Sequence, residues 1–254
     1  MRLAEHWTST GDALFRRRSW LPLLLLPLVL ASFFGPHYAF QSHTTDLIWE
    51  VGCFGIALAG IALRVFTTGT SPRGTSGRNT RTQKASALNT TGSYSIVRHP
   101  LYLANFLIGL GMALFSRTWF LPIIVSLATL LYYERIAARE EQFLDARFGP
   151  AFRRWAELVP AAVPSLKAWC RPTQAFDWRR ALDREFYAIS EVAVAFMLLD
   201  MMEDYAAEGQ LELDPVWATV ALLGALLFGV MWTRKKLRRR QVAARRDRMR
   251  WPWR

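Results

Sequence analysis

Residues 92–111 read GSYSIVRHPLYLANFLIGLG, and they decide the fold because polar and apolar chemistry meet abruptly at their centre. An Arg-His-Pro triplet between two tyrosines opens a segment, residues 101–115, that contains no charged side chain. Proline fits the first turn of a helix, where its missing N–H costs little, so we expect a helix to begin at Pro100. Charged groups are costly in hydrocarbon, which predicts a functional site at a membrane surface, with Arg98 and His99 at its rim.

Apolar clusters along the chain predict an all-α, polytopic integral membrane protein with about six transmembrane helices. The chain has 254 residues, and 52% of them are hydrophobic. A helix needs about 20 apolar residues to cross a bilayer, so the third and fourth clusters are expected to borrow flanking residues. The fifth cluster gives the weakest signal because it contains Glu191 and is followed by Asp200. The predicted spans are residues 20–34 (20–40 in a longer version), 47–66, 101–115, 119–133, 188–199 and 216–232.

Positive charge is concentrated on one side of this six-span arrangement. All but two of the 32 Lys and Arg residues fall in residues 1–19, 67–98, 134–187 and 233–254. Lys and Arg in short loops favour the cytoplasm, so both termini and the site are expected to be cytoplasmic, at the inner membrane if the protein is bacterial. A cleaved signal peptide is the alternative for the N-terminus, but no Ala-x-Ala sequence follows the first apolar run.

Several function classes receive no support from the sequence. Cys53 lies in a span and Cys170 in a cytoplasmic stretch, so neither a disulfide nor a metal site is predicted. No P-loop or G-x-G-x-x-G element follows a strand, which argues against a soluble nucleotide-binding domain. The Arg-rich tail, residues 234–254, is expected to contact anionic lipid rather than nucleic acid. No protein partner is predicted.

The helix rim before residue 101 predicts an anion site. Exposed N–H groups and the positive end of the helix dipole favour a carboxylate or phosphate, and Arg98 and His99 strengthen that preference. Tyr94 or Tyr102 could face a cation with its ring. The alternative is structural: Arg98 as a positive-inside anchor, His99 as an interfacial residue and the tyrosines as part of an aromatic belt.

Glu140 is the second candidate, because it shares a helix face with apolar residues such as Ile136. A carboxylate in such surroundings needs a hydrogen-bond donor or a cation. Glu141 lies about 100° round the helix and is expected to be solvated or paired with arginine. Arg135 and Arg139 are one turn apart and could grip one anionic group. A solvated helix with i,i+4 ion pairs is the alternative.

Small and acidic residues inside the spans suggest two further roles. Asn105, Gly109 and Gly111 are expected to allow close helix contact rather than to bind a ligand. Glu191 and Asp200 are acidic groups within a weak span and therefore functional candidates, although the sequence indicates no partner for them.

The pattern resembles the membrane methyltransferase family that includes isoprenylcysteine carboxyl methyltransferases and phospholipid methyltransferases. The resemblance covers roughly residues 86–164 and rests on motif elements ordered between and after two short spans. These elements are Gly92-x-Tyr94, Arg98-His99-Pro100-x-Tyr102, Gly109-x-Gly111, Glu140-Glu141, Phe148-Gly149, Val159-Pro160 and Pro164.

The resemblance implies that S-adenosylmethionine binds at the cytoplasmic mouth, with the loop of residues 86–89 closing the pocket. It also implies a domain organisation: an N-terminal two-span hairpin (1–66), a methyltransferase core of a loop, two short spans and a cofactor-binding helix (67–165), and a C-terminal segment with two spans and the tail (166–254). The cofactor residues that it implies are Ser86, Ala87, Leu88, Asn89, Tyr94, His99, Pro100, Leu101, Tyr102 and Glu140.

The methyl acceptor is expected to be a membrane lipid or a lipid-linked group that arrives from the bilayer. Arginine around the site favours an anionic oxygen, a carboxylate or phosphate, and the candidates for its clamp are Arg98, Arg135 and Arg139. The prenylcysteine enzymes have an arginine four residues before the matching glutamate, whereas this chain has Ile136 there.

Other acceptors and another class of protein stay open at this point. The alternative acceptors are a phospholipid amine, a prenylcysteine and a small hydrophobic thiol. The loop of residues 77–92 is similar to that of bacterial relatives that methylate a phosphate of lipid A. A membrane transporter or scaffold is the alternative of another class, suggested by Glu191, Asp200 and the number of spans.

Overall fold

The computed structural model describes residues 24–34, 43–72 and 85–250, and the regular structure within those ranges is helical. The all-α class predicted from the sequence is confirmed. A 3₁₀ turn at Leu166–Ala168 accompanies the α-helices. The helices are α1 (Leu26–Ser32), α2 (His43–Thr70), α3 (Ser93–Ile96), α4 (Pro100–Phe115), α5 (Phe120–Phe148), α6 (Pro150–Leu158), α7 (Trp178–Glu208) and α8 (Pro215–Arg250).

Among the residues that the structure describes, three helices are long and apolar enough to cross a membrane, and α4 is a shorter apolar helix. The membrane-spanning architecture is therefore confirmed, while the count of six stays a prediction. The three spans are Thr45–Thr70, Phe120–Phe148 and Pro215–Ala244.

Parts of the sequence-based interpretation lie outside the described residues. They are positions 20–23 and 35–40 of the first predicted span, residues 73–84 of the loop before the site, and residues 251–254 of the tail. The fifth predicted segment lies within α7, a helix of 31 residues.

Close backbone contact joins α2 to α4 at two glycines. A Cβ added at Gly111 would lie 2.5 Å from the carbonyl oxygen of Cys53, and one added at Gly60 would lie 2.5 Å from that of Ala104. Gly109 is different, because its added Cβ would meet only a Val125 methyl group at 3.7 Å. The predicted packing role is thus confirmed for Gly111, where the helices approach too closely for any side chain.

An aromatic cluster fills the core where four helices meet. It contains one ring each from α2, α4, α7 and α8, and the rings of Phe196 and Trp217 lie 5.4 Å apart between their centroids. Edge-to-face contacts at 5.0 to 6.0 Å join each of these two rings to Phe54 and to Phe115. Such pairs add favourable quadrupole contacts to the burial of apolar area, which holds α7 and α8 against the α2–α4 pair. The four residues are Phe54, Phe115, Phe196 and Trp217.

Arg117, between α4 and α5, connects several elements at one end of the bundle. Its guanidinium lies 3.3 Å from Asp46, 3.1 Å from Glu50 and 2.6 Å from Glu203. The indole N–H of Trp217 donates to the other oxygen of Glu50 at 3.1 Å. The start of α2, the α4–α5 connection, the end of α7 and the start of α8 therefore meet.

We predict that Gly111→Ala destabilises the protein while Gly109→Ala leaves it nearly unchanged. A methyl group at Gly111 must push two helix backbones apart, and overpacking of this kind costs about 1–3 kcal/mol. Thermal unfolding of the full chain in detergent measures the difference, with Gly109→Ala as the matched control on the same helix. Equal midpoints for the two variants would contradict the close α2–α4 approach.

Candidate active site

The chain that leads into α4 is held by residues much farther along the sequence. The backbone N–H of Arg98 donates to the carbonyl of Pro160 at 2.9 Å, and that of Ser165 donates to Ile96 at 2.8 Å. Two further bonds join Gly92 N–H to Cys170 O at 3.0 Å and Trp155 Nε1 to Tyr94 O at 3.2 Å. Together, α6 and the segment after it thereby fix the position of α3 and of the rim. Motif residues that are far apart in sequence, such as Arg98 and Pro160, are therefore in direct contact in the structure.

His99 lies between two carboxylates at the start of α4. Its Nε2 is 2.9 Å from Glu141 Oε1, and its Nδ1 is 3.5 Å from Glu140 Oε2. The imidazole is stacked on the Tyr102 ring, with 5.2 Å between the centroids. Burial lowers the pKa of His99, but hydrogen bonds and charge from Glu140 and Glu141 raise it more, to about 9. The imidazole is therefore protonated at neutral pH, and both nitrogens act as donors.

Arg98 and Glu141 form the outer part of the same cluster. A terminal nitrogen of Arg98 lies 3.1 Å from Glu141 Oε2, so this carboxylate interacts with an arginine and a histidine together. The arginine pairing that the sequence predicted for Glu141 is present, although the arginine comes from the entry to α4 rather than from α5. Within the described ranges, the buried Nε of Arg98 has no hydrogen-bond partner, which leaves a donor for an anion.

Glu140 has the donor and the cation that its apolar helix face requires. The hydroxyl of Tyr102 donates to Glu140 Oε2 at 2.8 Å, and the imidazolium of His99 approaches the same oxygen. The Glu140 side chain is 37% exposed, so its carboxylate is also accessible from outside the cluster. The unbroken α5 carries this residue, because the helix continues past the predicted span end at residue 133 to Phe148.

Tyr94 and the loop before α3 form the next part of the site. Burial raises the pKa of the Tyr94 phenol, and the negative charge of Glu140 raises it further, so the phenol stays protonated. Asn89, in the predicted closing loop, hydrogen-bonds to this phenol, and Arg184 of α7 is close enough to act on it electrostatically. The structure thus brings the loop, α3 and Glu140 to one place.

The arginines proposed from the sequence differ in position. Arg98 is part of the cluster, as described above. Arg139 donates to Gln142 on its own helix at 3.1 Å, and Arg135 lies one turn earlier and is partly exposed. Both therefore lie on α5, the helix that carries Glu140, but outside the contacts of His99.

Sequence reasoning missed three residues that the structure connects to the site. Arg64 forms an ion pair with Glu185 of α7 at 2.6 Å, and Tyr133 is stacked on Tyr102 with a centroid distance of 4.5 Å. The sequence offered a signal for the first pair, since Arg64 closes an apolar span and a buried arginine requires an acidic partner. It offered none for Tyr133, which is one of two adjacent tyrosines at the end of a span.

A groove of about 580 Å³ lies beside this cluster, between α5 and α6, and Glu141 and Arg153 are part of its lining. In the part of the chain that the structure describes, no three His, Cys, Asp or Glu side chains are arranged to hold a metal ion.

Residues 51–151 match the model of the phospholipid methyltransferase family. The resemblance predicted from the sequence is confirmed over this segment. That segment contains the rim, α4 and both carboxylates, so the family's region and the His99 cluster coincide, and a membrane methyltransferase is supported.

Three curated relatives are similar to this chain. The cobalt-zinc-cadmium resistance protein CzcN of Cupriavidus metallidurans is 29% identical over 192 residues, which are 73% of this chain and 84% of that protein. The nickel-cobalt-cadmium resistance protein NccN of Alcaligenes xylosoxydans xylosoxydans is 37% identical over 84 residues, which are 33% of this chain and 39% of that protein. The protein-S-isoprenylcysteine O-methyltransferase of Schizosaccharomyces pombe is 29% identical over 77 residues, which are 30% of this chain and 33% of that protein. No solved structure matches the chain.

We predict that His99 titrates near pH 9 and that its contribution to stability falls with rising pH. A pKa raised from 6.5 to about 9 by folding stabilises the protein fully below pH 6.5, and this contribution is lost as the pH rises through about 9. NMR of ¹³C-labelled histidine measures the midpoint, with His99→Gln to assign the resonance. Glu141→Gln should lower the midpoint, and a midpoint near 6.5 in the unaltered protein would exclude the two-carboxylate arrangement.

Proposed function

We propose that the protein is an S-adenosylmethionine-dependent methyltransferase that acts on a lipid-embedded acceptor. The observation that carries the proposal is the cluster of His99, Glu140, Glu141 and Tyr102 at the start of an apolar helix. This cluster lies within the segment that matches the phospholipid methyltransferase family. Charged groups at such a place are costly and usually have a function. Members of this family use S-adenosylmethionine, whose charged groups complement those of the cluster.

The residues present suit the cofactor's amino acid tail and its cation. The accessible carboxylate of Glu140 can accept hydrogen bonds from the amino or hydroxyl groups of S-adenosylmethionine. The partnerless Nε of Arg98 and the N-terminus of α4, where Pro100 and Leu101 lie, suit its carboxylate. Tyr94 provides a ring for a positive charge, whereas the Tyr102 ring is stacked on His99 and Tyr133 and contributes through its hydroxyl, which holds Glu140. The remaining residues of the proposed pocket are the loop positions Ser86, Ala87, Leu88 and Asn89, together with His99, which contacts Glu140.

The bound cofactor would supply an electrophilic methyl group on a sulfonium, and the chain's task is to hold an acceptor in line with it. His99 is protonated at neutral pH and hydrogen-bonded through both nitrogens, so it is a poor general base. An acceptor that is already anionic needs no base, whereas an amine or thiol must lose a proton. These properties favour a carboxylate or phosphate oxygen, with a phosphate of lipid A as one candidate.

Arginine is the residue type suited to such an acceptor, because its planar group pairs with two oxygens together. Arg98 is already engaged with Glu141, so we propose Arg135 and Arg139, on the cytoplasmic part of α5, as the main clamp. The concentration of basic residues at this end supports a cytoplasmic location for the reaction. A phospholipid amine, a prenylcysteine or a small thiol are the alternative acceptors.

We predict that membranes containing the protein transfer radiolabelled methyl from S-adenosylmethionine into the organic phase, and that Glu140→Gln abolishes the transfer. Loss of a charged acceptor should weaken cofactor binding by about tenfold or more. Equilibrium binding to the purified protein measures this effect. Glu134→Gln, which alters an exposed carboxylate on the same helix, serves as control. Base-labile label would indicate an ester product. Equal cofactor binding by Glu140→Gln and the unaltered protein would remove this residue from the pocket.

We predict a different result for the clamp. Arg135→Ala or Arg139→Ala should reduce methyl transfer at least tenfold, since each loses a charge-assisted contact to the acceptor, while the cofactor's Kd stays within about twofold. Transfer and binding are measured on the same preparations, and Arg147→Ala provides an exposed arginine on the same helix as control. Unchanged transfer by both variants would assign the acceptor to other residues.

A further inference from the structure

Arg64 and Glu185 form an ion pair inside the helix bundle. The two side chains are 16% and 3% exposed, and Arg64 Nε lies 2.6 Å from Glu185 Oε2. Burying two charges is expensive, and a well-packed apolar pair is often as stable. The pair therefore requires an explanation beyond holding α2 against α7.

A second contact of Arg64 leads toward α5. Its terminal nitrogen Nη1 donates to the side-chain oxygen of Asn105, and the Asn105 amide nitrogen donates to the hydroxyl of Tyr133 at 2.9 Å. An amide has an acceptor at one end and donors at the other. Because Arg64 can only donate, it fixes which end of Asn105 faces Tyr133.

Tyr133 continues the connection to the candidate site. Its ring is nearly parallel to that of Tyr102, at 9° and 4.5 Å between centroids, and Tyr102 is stacked in turn on His99. The Tyr102 hydroxyl donates to Glu140. An uninterrupted set of contacts thus runs from Glu185, through four intermediate side chains, to the carboxylate proposed to hold the cofactor.

We propose that Arg64, held by Glu185, is a positioning residue for this site. It fixes Asn105 and Tyr133 and thereby the placement of Tyr102, His99 and Glu140. The cofactor part of this inference rests on the proposed function, whereas the positioning of His99 does not. Glu185 lies beyond residues 51–151, so the C-terminal part of this chain contributes to a site that the family match alone would assign to its core.

The test uses the full-length protein and two measurements. The first is the ¹³C–¹H resonance of the His99 ring, which senses the stacked Tyr102 and needs no ligand. The second is the Kd for S-adenosylmethionine. The variants are Arg64→Gln, Asn105→Ala, their combination and Tyr133→Phe. Arg238→Gln, which breaks an exposed ion pair with Asp183 on the same α7, is the control.

Each single variant should move the His99 resonance and weaken cofactor binding by about three- to tenfold, the effect of losing one hydrogen bond of the connection. The combined variant should have about the same Kd as whichever of Arg64→Gln and Asn105→Ala binds the cofactor more weakly, because the two substitutions remove the same connection. Arg238→Gln should change neither measurement. A purely structural pair would lower the unfolding temperature and leave the resonance and the Kd of the folded protein unchanged.

The outcomes separate this inference from the proposed function. A moved His99 resonance in a protein that does not bind S-adenosylmethionine would support the positioning role and reject the cofactor. An unmoved resonance in folded Asn105→Ala would overturn the positioning role even if the cofactor binds. Should Arg64→Gln fail to fold, Tyr133→Phe decides, since it removes a single hydroxyl and retains the stacked ring; an unmoved resonance there overturns the inference.

Discussion

The compensation of charge at the mouth of α4 is the constraint on which the rest of this structure depends. A histidine, an arginine and two glutamates lie beside an apolar helix, where each alone would be costly. Together they neutralise one another within 3.5 Å, and the tyrosine hydroxyl completes the set. This requires α5 to extend beyond its apolar part without a break, because only then do its carboxylates reach the rim of the neighbouring helix.

The same principle accounts for the two ends of the bundle. At one end, Arg117 is surrounded by three carboxylates from α2 and α7. At the other, Arg64 is held by Glu185 and leads to the site. Between them the core is aromatic and apolar, with close backbone contact between α2 and α4. Polar contacts thus set the register of helices that hydrophobic packing alone would allow to slide.

Much of the fold and part of the site could be predicted from the sequence. Apolar length and charge distribution gave the helical membrane class, and the Arg-His-Pro triplet located the rim. The exact partners could not be predicted, because Glu140 and Glu141 project about 100° apart on their helix and periodicity does not show that His99 contacts both. Arg64, Asn105 and Tyr133 each resemble ordinary residues of a span. Their connection depends on the packing of α2, α4, α5 and α7, which a single sequence does not specify.

The contacts of Arg64 and Arg117 also bear on where the folding unit ends. Both arginines lie within the segment that matches the family, but each depends on a carboxylate of α7, which lies beyond it. A fragment cut at the limits of the match would keep both cations and lose these counter-charges, and an uncompensated buried charge is strongly destabilising. The smallest autonomous part of this protein therefore includes α7, and the family match marks out less than the chain needs to fold.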